Sequence, residues 1–231
     1  MKKITIAILM VFASYSVSSA IELGINVGAT GNVGVFHGEG KDTRTQTQAG
    51  VFEVQKEDAT AVAGYTSFFI EKTLWNSGPL SRIAIGYDKM NGVLSSETAL
   101  NERDDLTLAG TTTSSLSNRV ENKIQVDFEN METIYVSIDL WNGVYAKMGE
   151  VSIDMITNES LGTGASYDNI GLDAKMFGLG FEKDIPFYGM FMRFEGKYMD
   201  FENEQAVSGD NTISIIGLEG ASGALSIGKS F

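Results

Sequence analysis

The chain carries 231 residues with no cysteine, two prolines, 26 glycines and a formal charge of −13. Thirty acidic residues against 17 basic ones argue against nucleic-acid binding, and the missing cysteines exclude disulfides as a source of stability. So few prolines argue against a disordered Pro-rich coat, and no linker or low-complexity tract divides the chain, so one domain is expected.

Met1-Lys2-Lys3 is a short basic start, Ile4 to Phe12 is an apolar run, and Ser18-Ser19-Ala20 sets small residues before Ile21. This is the pattern of a secretory signal cleaved after Ala20, and the run is shorter than the about 20 residues a membrane-spanning helix needs. Residues 1–20 are therefore set aside and the domain is expected over 21–231. Loss of Lys2 and Lys3 leaves 15 basic residues against 30 acidic ones, a formal charge of −15.

Ile21, Leu23, Ile25, Val27 and Ala29 alternate with Glu22, Gly24, Asn26 and Gly28, a first strand with one apolar face. The polar stretch from His37 to Asp58 reads as a long connection. In a second strand Val62, Thr66, Phe68 and Ile70 alternate with Ala63, Tyr65, Ser67 and Glu71, and in a third Ile83, Ile85 and Tyr87 alternate with Arg82, Ala84 and Asp88. Between them, Trp75-Asn76-Ser77-Gly78-Pro79 has the composition of a tight turn. Residues 91–118 form the second long connection.

Val120, Ile124, Val126 and Phe128 alternate with Glu121, Lys123, Gln125, Asp127 and Glu129, and the same even phase resumes at Ile134, Val136, Ile138 and Leu140. Either one strand runs from about Arg119 to Leu140 with a bulge near Asn130-Met131, or a hairpin at Asn130 to Glu132 splits it and raises the count to ten; the preserved phase favours one strand. Trp141-Asn142-Gly143 follows, and Asn-Gly between alternating segments is a strong hairpin signal. Val144, Ala146 and Met148 share one phase and Val151, Ile153 and Met155 the other, which predicts a bulge around Gly149-Glu150 with Glu150, Ser152 and Asp154 on the polar side.

After a loop at Thr157 to Asp168, Leu172, Ala174 and Met176 alternate with Asp173 and Lys175, while the register of Phe177 to Phe181 stays open. Lys183 to Tyr188 makes a short turn, and Met190, Met192, Phe194 and Tyr198 then oppose Phe191, Arg193, Glu195 and Lys197. Past a loop at Asp200 to Asn211, a last alternating strand ends on Phe231.

Eight strands joined by alternating long and short connections make an all-β chain, an antiparallel up-and-down transmembrane barrel. Trp75, Trp141, Phe187 and Tyr188 fall in or beside the three short turns, and with Phe231 they form an expected membrane-interface girdle. Signal, alternation, turn asymmetry and terminal Phe231 together resemble the small outer-membrane barrel proteins of the OmpA-like and OmpX-like kind, over essentially all of residues 21–231. The resemblance implies a monomer in the bacterial outer membrane, with membrane lipid and the assembly machinery that reads the final Phe as partners. Lys229 departs from the usual hydrophobic ending, and an interfacial lysine accommodates it by snorkelling.

The polar phase collects Arg82, Asp88, Lys123, Asp127, Asp139, Lys147, Glu150, Asp154, Asp173, Lys175, Arg193, Glu195 and Lys197. Eight strands leave an interior only wide enough for side chains, so a network of paired charges is expected there, drawn from all of these but Lys123 and Asp127. The functional expectation is a structural or surface-interaction role carried by outer loops 37–58 and 91–118, with a small-solute pore as the alternative. A soluble ligand-binding barrel with the faces exchanged is a further alternative. A lipid-modifying enzyme would need a Ser and an acid beside His37, the one histidine, and no spacing ties Ser95, Ser96, Ser114 or Ser115 to it. No catalytic residue, cofactor or metal is therefore assigned. Glu102, Asp104 and Asp105, and Asp200, Glu202 and Glu204 on one strand face, read as solvated charge without metal-loop spacing.

Overall fold

The computed structural model describes residues 23–45, 52–75, 77–95, 99–105, 118–160, 167–186, 189–208 and 211–231. The expected signal segment, Phe187, Tyr188, Ser96, Ser114 and Ser115 lie outside these, as do the side chains of Lys123, Glu102, Asp104 and Asp105. Among the described residues, eleven strands follow in chain order: β1 (Ile25–Thr45), β2 (Phe52–Thr73), β3 (Ile83–Asn91), β4 (Leu94–Ser95), β5 (Ala99–Asp105), β6 (Asn118–Trp141), β7 (Val144–Ser160), β8 (Ile170–Ile185), β9 (Met190–Phe201), β10 (Glu204–Ser208) and β11 (Asn211–Ser230).

Antiparallel pairing runs β1-β2-β3-β6-β7-β8-β9-β11 and back to β1, so eight strands close a barrel with no free edge at its base. The remaining short strands extend it: β4 and β5 continue the line of β3 along β6, and β10 pairs with β11. Closure is sealed at the chain end, where Phe231 N–H donates to Ile25 O at 2.9 Å and Ile25 N–H donates to Phe231 O at 3.3 Å. The partner path Ile25, Lys72, Ile85, Val136, Met148, Phe177, Tyr198, Ala221 returns to β1 at Val35, ten residues further on. Such a stagger tilts the strands and fills the interior with side chains.

Three expected connections prove to be hairpin, the one at Asp200 to Asn211 through the pairing of β10 with β11 from Glu204 to Ser208. β1 and β2 stay paired out to Thr45 and Phe52, and β5 pairs with β6 from Ala99 to Asp105, inside the expected loops 37–58 and 91–118. Strands that project past the apolar band can be polar on both faces, so alternation gives no sign of them. β6 is one strand, with its register shift between Glu129 and Glu132 and Asn130 at φ 53, a conformation asparagine tolerates. The extra residue turns the strand over. Val126 and Phe128 pack on the interior cluster, whereas Ile134 and Ile138, of the same parity, are exposed on the outside.

The bulge expected at Gly149-Glu150 is absent, since β7 pairs without a shift through both residues on either side. What changes along β7 and β8 is the surroundings. On β8 the inward series Ile170, Leu172, Ala174, Met176 is apolar beside outward Asp173 and Lys175; further down, Gly178, Gly180 and Glu182 point inward and Phe177, Leu179 and Phe181 outward. The barrel thus has two storeys. Near the short turns its outside is apolar and its inside polar; near the long connections the arrangement is exchanged, around a core of Tyr65, Met90, Met131, Val151, Leu172, Met176, Met199 and Phe201.

Candidate functional site: the interior of the barrel

Interior aromatic rings at the polar storey need room, and glycines on the neighbouring strand supply it. A Cβ on Gly86 would run into the Tyr135 ring, and one on Gly180 into the Tyr145 ring. Seated there, Tyr135 donates its hydroxyl to Glu71 Oε1 at 2.8 Å and Tyr145 donates to Glu195 Oε2 at 2.8 Å.

Each carboxylate so oriented meets a cation from another strand. Arg193 Nη1 and Nη2 donate to the two oxygens of Glu71 at 2.7 and 2.6 Å, and its Nε donates to Glu182 Oε2 at 2.5 Å. The bidentate geometry fixes the guanidinium plane, with rings at Phe191 and Phe69 stacked 4.6 and 5.2 Å from its carbon. Lys147 Nζ lies 2.7 Å from Glu195 Oε2 and 4.2 Å from the Tyr135 ring centre, so it joins the two tyrosine-bound carboxylates. A polar chain crosses from there: Lys197 donates to Asn32 at 2.6 Å, Asn32 to Ser67 at 3.3 Å, and Ser67 to Asp88 at 3.1 Å. Between this layer and the apolar storey is a cavity of about 20 Å³, enough for one water, with Asp88, Lys147, Glu195 and Lys197 on one side and Met131, Val151, Met176 and Met199 on the other.

Of the residues expected in the interior network, the structure brings together Asp88, Lys147, Arg193, Glu195 and Lys197. Asp139 shares the inward phase of Tyr135 and Ser137 but is exposed at the mouth. Arg82 belongs to the 3-10 turn Pro79–Arg82, where strand phase does not apply, and donates to Leu140 O at 3.5 Å at the exposed turn end instead of joining the network. Glu150, Asp154, Asp173 and Lys175 are exposed on the outer wall, because they sit in the storey whose inside is apolar. Glu71, Glu182, Tyr135, Tyr145 and Asn32 complete the network. Glu71 shares its inward phase with Tyr65 and Ser67, a signal open to reading, while Glu182 hides at the edge of a turn.

Trp75, Trp141 and Phe231 are exposed at one end of the barrel, beside the short turns and the closing seam. Lys229 points outward with its ammonium 4.8 Å from the Phe231 ring centre. His37 hydrogen-bonds Thr60 Oγ1 at 2.9 Å on the outer wall. Asp200, Glu202 and Glu204 do not share a strand face, because β9 ends at Phe201 and β10 begins at Glu204.

In shape the chain is similar to the outer membrane protein OprG from Pseudomonas aeruginosa, with a TM-score of 0.50 at 8% identity, covering 91% of this chain and 98% of that one. The fold is that of the small outer-membrane barrels. Two further outer-membrane barrels align less closely. Ail of Yersinia pestis gives a TM-score of 0.30 at 8% identity over 84% of this chain and 98% of that one. The protease OmpT of Escherichia coli gives 0.40 at 9% identity over 94% and 99%. No protein family and no curated protein matches the sequence. Within that fold, this chain combines a polar interior layer with an apolar core stacked directly above it.

Proposed function

We propose that the protein is a closed, non-enzymatic barrel of the bacterial outer membrane whose projecting storey serves a structural or surface-interaction role. The observation that carries this reading is the stacking of an apolar core on an ion-paired layer. An ion entering the barrel would leave water for the cluster of Leu172, Met176 and Met199, and then break the buried pairs of Glu71, Arg193, Glu195 and Lys147. With only a 20 Å³ cavity between the layers, the small-solute pore finds no support. The same core stiffens the projecting storey, whose outer wall presents Glu150, Asp154, Asp173 and Lys175 to the medium.

Membrane placement is supported by the outward band of Val27, Phe68, Ile85, Ile134, Leu179, Phe194 and Ile227, all exposed, between the aromatic end and the charged wall. Lipid covers that band, the aromatic end faces the periplasm as an interfacial girdle, and Phe231 is presented to the assembly machinery while Lys229 snorkels beside it. Refolded protein in a planar bilayer is expected to give no steady current. Steady single-channel conductance would overturn the closed reading, and a detergent-free monomer in water would overturn the membrane placement.

A further inference from the structure

The ionic layer of the barrel has two parts that meet across a gap. In one, Tyr145 and Lys147 converge on Glu195 Oε2 at 2.8 and 2.7 Å. In the other, Lys197 gives one N–H to Asn32 Oδ1 at 2.6 Å, and the chain through Asn32 and Ser67 ends on Asp88 Oδ2 at 3.1 Å. The parts face each other where Lys197 Nζ stands 4.0 Å from Glu195 Oε1. That separation is too long for a hydrogen bond and suits two groups that share a water molecule. With these side chains only 12% and 5% exposed, bulk solvent does not serve them.

The gap coincides with a cavity. Asp88, Glu195 and Lys197 all line the space of about 20 Å³ between the storeys, with Lys147 beside them. A water needs about 10–15 Å³ of such space and two to four polar partners, so there is room for one molecule. Each carboxylate accepts through both oxygens. With Tyr145 and Lys147 on Oε2 of Glu195 and Ser67 on Oδ2 of Asp88, a further donor is directed to Oε1 and Oδ1, and Lys197 keeps N–H groups to give. Charge decides what kind of molecule fits. A cation would meet the ammonium groups of Lys147 and Lys197, and an anion the carboxylates of Asp88 and Glu195, whereas a neutral molecule that both donates and accepts satisfies both. On the opposite wall Met131, Val151, Met176 and Met199 bar its way into the apolar storey.

We propose that this cavity is a binding site for a single structural water, which accepts from Lys197 and donates to Glu195 Oε1 and Asp88 Oδ1. The water joins the two parts into one hydrogen-bonded layer across the lumen. The assignment holds whether or not the barrel conducts, so it stands or falls apart from the closed reading above. Protein with isotope-labelled methionine methyl groups is refolded into lipid nanodiscs, and magnetisation transfer from water to each methyl group is measured by NMR. Met176 and Met199, on the cavity, are expected to give water cross-peaks, and Met155, equally buried in the apolar core, is expected to give none. Val151→Ile, and separately Met131→Phe, add bulk at the cavity and are expected to abolish the cross-peaks at Met176 and Met199. Heat-shifted gel mobility checks that each variant is folded, and either variant suffices. Silence at Met176 and Met199 in the unaltered protein overturns the proposal. Equal cross-peaks at Met155 overturn it as well, since they mean a wet core and no localised water, and so do cross-peaks that survive in a folded variant.

Discussion

Glu71 and Arg193, 122 positions apart in the chain, meet across the lumen through two hydrogen bonds of 2.7 and 2.6 Å. Glu71 is almost wholly buried, so removal of Arg193 leaves its charge with only the neutral donors Tyr135 and Asn26 against it. Arg193→Ala is expected to cost about 3–5 kcal/mol in urea unfolding from vesicles. Combining Arg193→Met with Glu71→Leu removes both charges at similar volume and is expected to recover most of that loss. Equal losses in the single and double variants would show that packing rather than charge is at stake.

A second test concerns the seat of Tyr145. Its ring occupies the space above Gly180, and its hydroxyl orients Glu195 toward Lys147. Gly180→Ala drives a methyl into that ring and is expected to cost about 1–3 kcal/mol by overpacking. Gly196→Ala, where an added Cβ meets nothing within 4 Å, is expected to stay within about 0.5 kcal/mol under the same urea titration. A comparable loss at both positions would mean that backbone freedom, and not ring space, is what the glycines provide.

Much of the polar storey is legible in sequence because alternation there has one meaning. Phe191, Arg193, Glu195 and Lys197 oppose Met192 and Phe194, and the structure keeps them on opposite faces. The same rule misplaces Glu150, Asp154, Asp173 and Lys175, since parity records which residues share a face and not which face meets water. At Met176 and Phe177 the apolar side changes from inward to outward with no break in the strand. Asn130 shows the converse: Phe128 and Ile134 keep one parity, and a single bulged residue sends them to opposite faces. The partners of Arg193 are hidden for a third reason: Glu182 faces it only through the register of the β8–β9 hairpin, and Glu71 reaches it only because β2 lies across the lumen from β9.

Asn130 itself can be tested. Its φ of 53 suits asparagine or glycine and strains a β-branched side chain. Asn130→Gly is expected to leave stability within about 0.5 kcal/mol, and Asn130→Val to cost about 1–2 kcal/mol. Deleting the residue removes the bulge and turns Val126 and Phe128 away from the interior cluster, so the deleted chain is expected to show no heat-shifted folded band. A folded deletion variant would mean that the shift between Glu129 and Glu132 can be moved elsewhere in β6.

The boundary between the storeys predicts a gradient along the outward face of β8. Leu179, Phe177, Lys175 and Asp173 stand in sequence on that face, two residues apart, and the first two lie in the apolar band while the last two do not. Arginine at Leu179 must hold its charge in hydrocarbon, and Leu179→Arg is expected to cost about 2–4 kcal/mol in vesicle unfolding. Phe177→Arg sits at the edge, where snorkelling brings the guanidinium to the headgroups, and about 0–1 kcal/mol is expected. Asp173→Leu adds one apolar side chain to a wall in water and is expected to change stability by no more than about 0.5 kcal/mol. On the inward face the order reverses, because Leu172 is fully buried in the apolar core and Leu172→Arg places an unpaired charge there. A cost that grew from Leu179 toward Asp173 would put lipid against the other storey and invert the orientation of the barrel.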